Sequence, residues 1–134
     1  MRVWRVTVTL LFVIASVLVL AQQKNSTEAV PKYDSSAEAV FKGTVDEVRD
    51  RECPVSRGMG AHIILKTGDG KTIEVHLATT KFVKSYELAF NKGDALEITG
   101  VKVKFENVDT IFAREIKRGN DTFVFRDKEG RPIW

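Results

Sequence analysis

Residues 61–77 carry the pattern that most restricts what this chain can fold into. Ile63 and Leu65 alternate with polar neighbours, as do Ile73, Val75 and Leu77, and the two sets flank Gly68-Asp69-Gly70. A period of two is the signature of a half-buried strand. A one-residue slip in pairing would turn a whole apolar set to solvent. A three-residue loop at 68–70 keeps both sets on one face and gives Gly70 the left-handed conformation such loops need. Ile63 then faces Val75, Leu65 faces Ile73, and His62 faces His76.

The rest of the chain can be read from this hairpin. Val40 to Val48 reads as a first strand with Phe41 and Val45 on one face and Gly43 free to bend. In residues 79–90 the period changes. Phe82, Val83, Tyr86 and Phe90 recur at helical spacing behind Thr79 or Thr80 as N-cap, and Asn91-Lys92-Gly93-Asp94 stops the helix. Ala95 to Phe105 is a long strand whose apolar parity switches at Gly100, the mark of a β-bulge. Thr110 to Lys117 follows with Ile111, Ala113 and Ile116 inward, and Thr122 to Arg126 is a last strand. The expected fold is mainly β: a small OB-fold-like barrel of five to six antiparallel strands, with one short helix between strands three and four.

The first 21 residues read differently. Arg2 and Arg5 precede an apolar run from Val6 to Leu20, and Val19 and Ala21 suit a cleavage site before Gln22. This is a signal-peptide pattern, and the run is shorter than the roughly 20 apolar residues of a spanning helix. The expected organisation is a signal peptide at 1–21, a polar spacer at 22–38 and the OB-fold-like domain at 39–134. The expected location is periplasmic or secreted, with membrane contact only through an uncleaved leader. The formal charge of +3 shrinks with the leader. Without Arg2 and Arg5, 19 basic residues stand against 18 acidic ones. A charge of +1 is no footprint for nucleic acid.

The chemistry-bearing residues are few. His62 and His76 are cross-strand neighbours on the face away from the Ile/Leu/Val set, with Cβ atoms about 5 Å apart. The plain expectation is an exposed or partly covered polar pair. The sharper one is the start of a metal site, for which two imidazoles need one or two further ligands. Glu74 shares their face, and Cys53 is within reach of approaching them. Cys53 is the one cysteine, so no intramolecular disulfide exists, and its plain reading is a small apolar core residue. Trp134 after Arg131-Pro132-Ile133 either folds back to cap the barrel or presents an aromatic ring to a partner. The outward hairpin residues include no Phe, Tyr or Trp on which bases could stack, although Lys102, Lys104, Arg114, Lys117 and Arg118 could form a basic strip. No catalytic triad, phosphate loop, dinucleotide motif or CxxCH is present, so neither an enzyme nor a resident cofactor is expected. That leaves a non-enzymatic binding or accessory module of the cell envelope, its partner an unidentified protein or small ligand. The second reading is a metal-binding or redox-accessory protein built on His62 and His76. The third is an oligonucleotide-type OB binder.

Several segments carry a resemblance: Phe41-Lys42-Gly43-Thr44-Val45, Gly60 to Thr67, Glu74-Val75-His76-Leu77, Ile98-Thr99-Gly100, Ala113-Arg114-Glu115-Ile116, and Gly130-Arg131-Pro132-Ile133-Trp134. From Phe41 to Trp134 the chain resembles small exported bacterial OB-like domains, and is similar to the domain shared by the magnetosome proteins MamS and MamX. The resemblance implies fold and export, and no settled activity. The chain departs from it in having Ala78-Thr79 where Gly-Pro is expected, and haem-binding relatives carry CxxCH motifs that this chain lacks. If the leader reading is right, N-terminal sequencing of the protein recovered from expressing cells starts at Gln22. Recovery of Met1 on the whole population contradicts it.

Overall fold

The structure is a computed structural model and describes residues 29–134. The leader at 1–21 and the first part of the expected spacer lie outside the described residues. Among the described residues, no helix is long and apolar enough to cross a membrane.

Six strands and one short helix follow a 3-10 turn at Ser35–Ala37: β1 Ala39–Cys53, β2 Gly58–Thr67, β3 Thr72–Thr79, α1 Thr80–Ser85, β4 Ala95–Phe105, β5 Val108–Arg118 and β6 Asp121–Val124. The sheet order is β3-β2-β1-β4-β5-β6, and β3 also pairs with β5. All adjacent pairings are antiparallel except β3–β5, which is parallel and closes strands one to five into a barrel-like ring. This is the expected OB-fold-like arrangement, with the helix between strands three and four.

The β2–β3 hairpin has the register read from the sequence: Ile63 faces Val75, Leu65 faces Ile73, and His62 faces His76. Gly70 takes φ 80° in the connecting turn. The helix is shorter than its periodic pattern. Thr79 caps it through Phe82 N–H, but it stops at Ser85, and Glu87 adopts a left-handed φ of 52°. Phe90 reaches the core from the loop instead.

β1 differs most from expectation. It runs five residues beyond Val48, through Arg49-Asp50-Arg51-Glu52-Cys53, and pairs with β2 as far as Cys53 opposite Gly58. Charged residues on both faces hide this half of the strand, because alternation is the signal that reveals a strand. A register shift between Val45 and Glu47 changes which parity faces inward. Tyr33 to Glu38, inside the expected spacer, also packs on the domain. Glu38 accepts a forked pair of hydrogen bonds from Arg114 at 2.7 and 2.9 Å and a third from the Tyr33 hydroxyl at 2.7 Å.

Two apolar clusters result. The larger fills the ring with Val45, Ile63, Leu65, Val75, Leu77, Ile98, Ile111, Ala113, Ile116 and Phe125. The smaller joins Cys53, Phe105 and Phe112, with Tyr33, Val55 and Val103 packed against it.

The bulge expected at Gly100 is present, as a register shift between Thr99 and Gly100 against β5. A Cβ on Gly100 would lie 2.3 Å from the Phe112 carbonyl oxygen, a backbone atom held by the sheet. Gly100→Ala should therefore cost about 2 kcal/mol or more in chemical denaturation. Gly68→Ala, where nothing lies within 4 Å of the added carbon, should stay within about 0.5 kcal/mol of the parent.

Candidate metal centre

The face of the hairpin that carries His62 and His76 is not wet. Both side chains are buried to 1% exposure, which overturns the expectation of an exposed or partly covered pair. A two-stranded hairpin alone would leave this face open. Here the second half of β1, the smaller apolar cluster and the C-terminal tail cover it. The His76 ring packs on Phe112 with centroids 5.9 Å apart and on Trp134 at 5.6 Å, and the two imidazoles meet edge to face at 5.0 Å.

Cys53 completes the group. Arg49 faces His62 and Cys53 faces Gly58 in one ladder, and positions two apart share a face, so the extended β1 brings the thiol to the His62 side. Gly60 stands between them. A Cβ there would meet Ser56 Oγ at 2.6 Å, His62 Cε1 at 3.0 Å and Cys53 Cβ at 3.3 Å. The missing side chain is the space in which these residues converge. One ligand atom each from Cys53, His62 and His76 lie within 4.8 Å of one another, and all three residues are buried. Glu74 Oε1 lies 3.9 Å from His62 Nε2, but Arg51 Nε already donates to that oxygen at 2.7 Å.

Hydrogen bonding leaves the imidazoles poised. His62 Nδ1 is 3.0 Å from the Gly60 carbonyl oxygen, which can only accept, so Nδ1 carries the proton. Its Nε2 then presents a bare lone pair and has no partner. His76 Nε2 is 2.8 Å from Ser56 Oγ, and its Nδ1 has no partner. Buried polar atoms are nearly always paired, so an orphaned nitrogen on each of two adjacent imidazoles needs an explanation. A hydrogen bond made by the other ring nitrogen, which fixes the tautomer of a ligating histidine, is a regular part of metal sites.

Electrostatics keep the pair neutral. Burial, then the neighbouring His62, then Arg126, push His76 from the usual 6.5 down to about 3. Burial lowers His62 as well, with Arg51 adding to it. Burial raises the Cys53 thiol. Neutral imidazole is the ligating form.

The tail supplies the lid. Asp127 Oδ1 accepts from the backbone N–H of Glu129 and Arg131, Gly130 turns at φ 84°, and Arg126 pairs with Pro132. The chain thus doubles back and lays Trp134 on His76. Trp134 folds back onto the domain and packs on its core. Its indole Nε1 is buried without a partner. Arg126 sits in the same wall, 5% exposed, with its guanidinium over Tyr33 at 5.1 Å and over Phe112 and Trp134 at 5.6 Å each.

The sequence offers Cys53 only as a residue within reach of the histidines and gives Arg126 no place beside them. Neither has a local motif, and both depend on strand register. The residues of the expected basic strip are partly neutralised, Arg114 by Glu38 and Arg118 by Asp94.

Fold and site together define a small OB-fold-like β domain with a buried Cys-His-His cluster. It belongs to the MamS/MamX magnetosome protein family, matching it over residues 38–123. That stretch holds Cys53, His62 and His76 and ends before Arg126 and Trp134. No curated protein matches the chain in sequence.

In the metal-free chain, His76 should stay neutral at pH 5, with no titration of its ring by NMR between pH 8 and pH 5. The unfolded state takes up protons near pH 6.5 that the folded state refuses, so stability is complete above that pH. It should decline as pH falls from about 6.5 towards 3. Denaturation of wild type and His76→Phe at pH 7 and pH 5 checks this, and the variant should lose less across the interval.

Proposed function

We propose that this protein is an exported, non-enzymatic accessory module that holds one metal ion through Cys53, His62 and His76. A single observation carries the reading: three ligand atoms of three different buried residues lie within 4.8 Å of one another, and both histidines keep an unpartnered nitrogen. A purely structural pair of buried histidines would be expected to satisfy its nitrogens, because an orphaned buried acceptor costs about 1–3 kcal/mol. A thiolate with two imidazoles is a donor set for zinc or copper. From the sequence alone a general binding module ranked ahead of this one, because the hairpin offered two ligands and the third was hidden in β1.

Location in the periplasm or outside the cell follows from the leader pattern of residues 1–21 and remains part of the same proposal. An envelope partner, protein or small molecule, would take the ion or supply it. The oligonucleotide reading is weaker. The hairpin face that would carry stacking aromatics is buried against Phe112 and Trp134 instead.

The test is metal content. The purified full chain, reduced and dialysed against zinc or against copper(I), should retain about one ion per chain. Cys53→Ser, His62→Ala and His76→Ala should each weaken retention by at least about a hundredfold, with circular dichroism confirming the β fold. A wild-type chain that retains no stoichiometric metal in either dialysis overturns the proposal.

A further inference from the structure

We propose that the ion this site selects is copper(I), a choice set by three-ligand geometry and by the buried guanidinium of Arg126. The inference rests on the metal-binding reading above and adds the identity of the ion to it.

Ligand count comes first. Among the described residues the cluster has three members, one thiol and two imidazoles. Structural zinc is almost always four-coordinate and tetrahedral, and a catalytic zinc fills its fourth position with water or substrate. Ser56 Oγ is held by His76 Nε2 at 2.8 Å, and the carboxylate beside His62, Glu74, would have to give up its 2.7 Å bond from Arg51. A water ligand would have to find room beside the His76 ring, which already packs on Phe112 and Trp134. Copper(I) is soft, favours thiolate and imidazole, and is satisfied by three ligands.

Charge comes second. Cys53 binds as thiolate. One thiolate neutralises a monovalent ion, whereas a divalent ion would leave one uncompensated positive charge in the pocket. That pocket already borders a cation. Arg126 packs on Phe112 and Trp134, the two rings against which His76 also packs. Its Nη1 donates to the Gly130 carbonyl at 2.9 Å, its Nε has no partner, and among the described residues no carboxylate lies within ion-pair distance of it. A buried cation without a counter-charge penalises every further positive charge near it. Arg51, the next cation towards His62, is by contrast paired with Glu74 and Glu106. Arg126 is therefore the uncompensated charge that separates a monovalent from a divalent ion here.

Access is the third point. Cys53 is 3% exposed, yet with Glu52, Pro54, Arg57 and Gly58 it lines a surface cleft of about 510 Å³ at the β1–β2 turn. Arg57 holds a left-handed φ of 53° in that turn. An ion can meet the sulfur first and the imidazoles afterwards, with the lid of Trp134 in place.

The experiment loads the purified full chain, reduced and free of oxygen, with copper(I) or with zinc(II), each against a competing chelator of known affinity. Copper(I) should bind at one per chain and at least about a thousandfold more tightly than zinc(II). X-ray absorption at the copper edge should show one sulfur and two nitrogen neighbours and no fourth. Glu74→Gln should leave copper(I) affinity unchanged. Arg126→Met, checked by circular dichroism, should narrow the preference at least tenfold by strengthening zinc; if it does not fold, the wild-type ratio and the coordination number still decide. Zinc bound as tightly as copper(I), or a four-coordinate copper, overturns this inference and leaves the metal reading standing. Retention of neither ion overturns both.

Discussion

Everything distinctive in this domain depends on the parallel seam between β3 and β5. Only three residue pairs form it: Glu74 with Thr110, Val75 with Ile111, and His76 with Phe112. Without them the sheet would be open, with β3 as a free edge. Closing it demands strong curvature, and the sheet obtains that from irregularities at Val45/Glu47, at Ala61/His62 and at Thr99/Gly100. The same seam divides the two apolar clusters. Val75 and Ile111 point into the ring, while His76 and Phe112 point out of it. The outward pair would be solvated in an ordinary small barrel. Here Tyr33, Phe105 and the returning tail cover it, so the domain has a second interior.

That second interior explains how much of the molecule could be read from its residues. The hairpin register was legible because its apolar alternation admits one phase, and Gly68-Asp69-Gly70 fixes the loop. The Gly100 bulge was legible because the apolar parity visibly changes there. The far half of β1 was not. Arg49-Asp50-Arg51-Glu52-Cys53 has no alternation, since one of its faces meets solvent and the other meets a polar pocket. Cys53 is accordingly legible only as a small apolar residue within reach of the histidines. The histidines are legible as cross-strand partners, but the sequence alone puts them on an exposed or partly covered face. Nothing local to them announces a cover built from residues 33, 105, 112 and 134, which arrive from three distant parts of the chain.

Buried polarity is the price of this arrangement. Two imidazoles, a guanidinium and an indole N–H are all withdrawn from water with incomplete hydrogen bonding. A core built only for stability would replace them with aliphatic side chains, which need no partners. The compensation lies in aromatic contacts. Arg126 spreads its charge over three rings, and His76 lies between two. The outer charges are handled differently, as ordinary carboxylate pairs such as Glu38 with Arg114 and Asp94 with Arg118.

The tail that seats Trp134 on His76 also equips the molecule with an optical reporter. The chain has two tryptophans, Trp4 and Trp134. Trp4 lies in the segment expected to be removed on export, which would leave Trp134 as the sole indole of the mature form. Its ring centroid is 5.6 Å from that of His76, and the Arg126 guanidinium lies 5.6 Å from it as well. Emission from this one residue senses the imidazole pocket directly, so a change of charge, packing or occupancy there is readable in the native chain without a label.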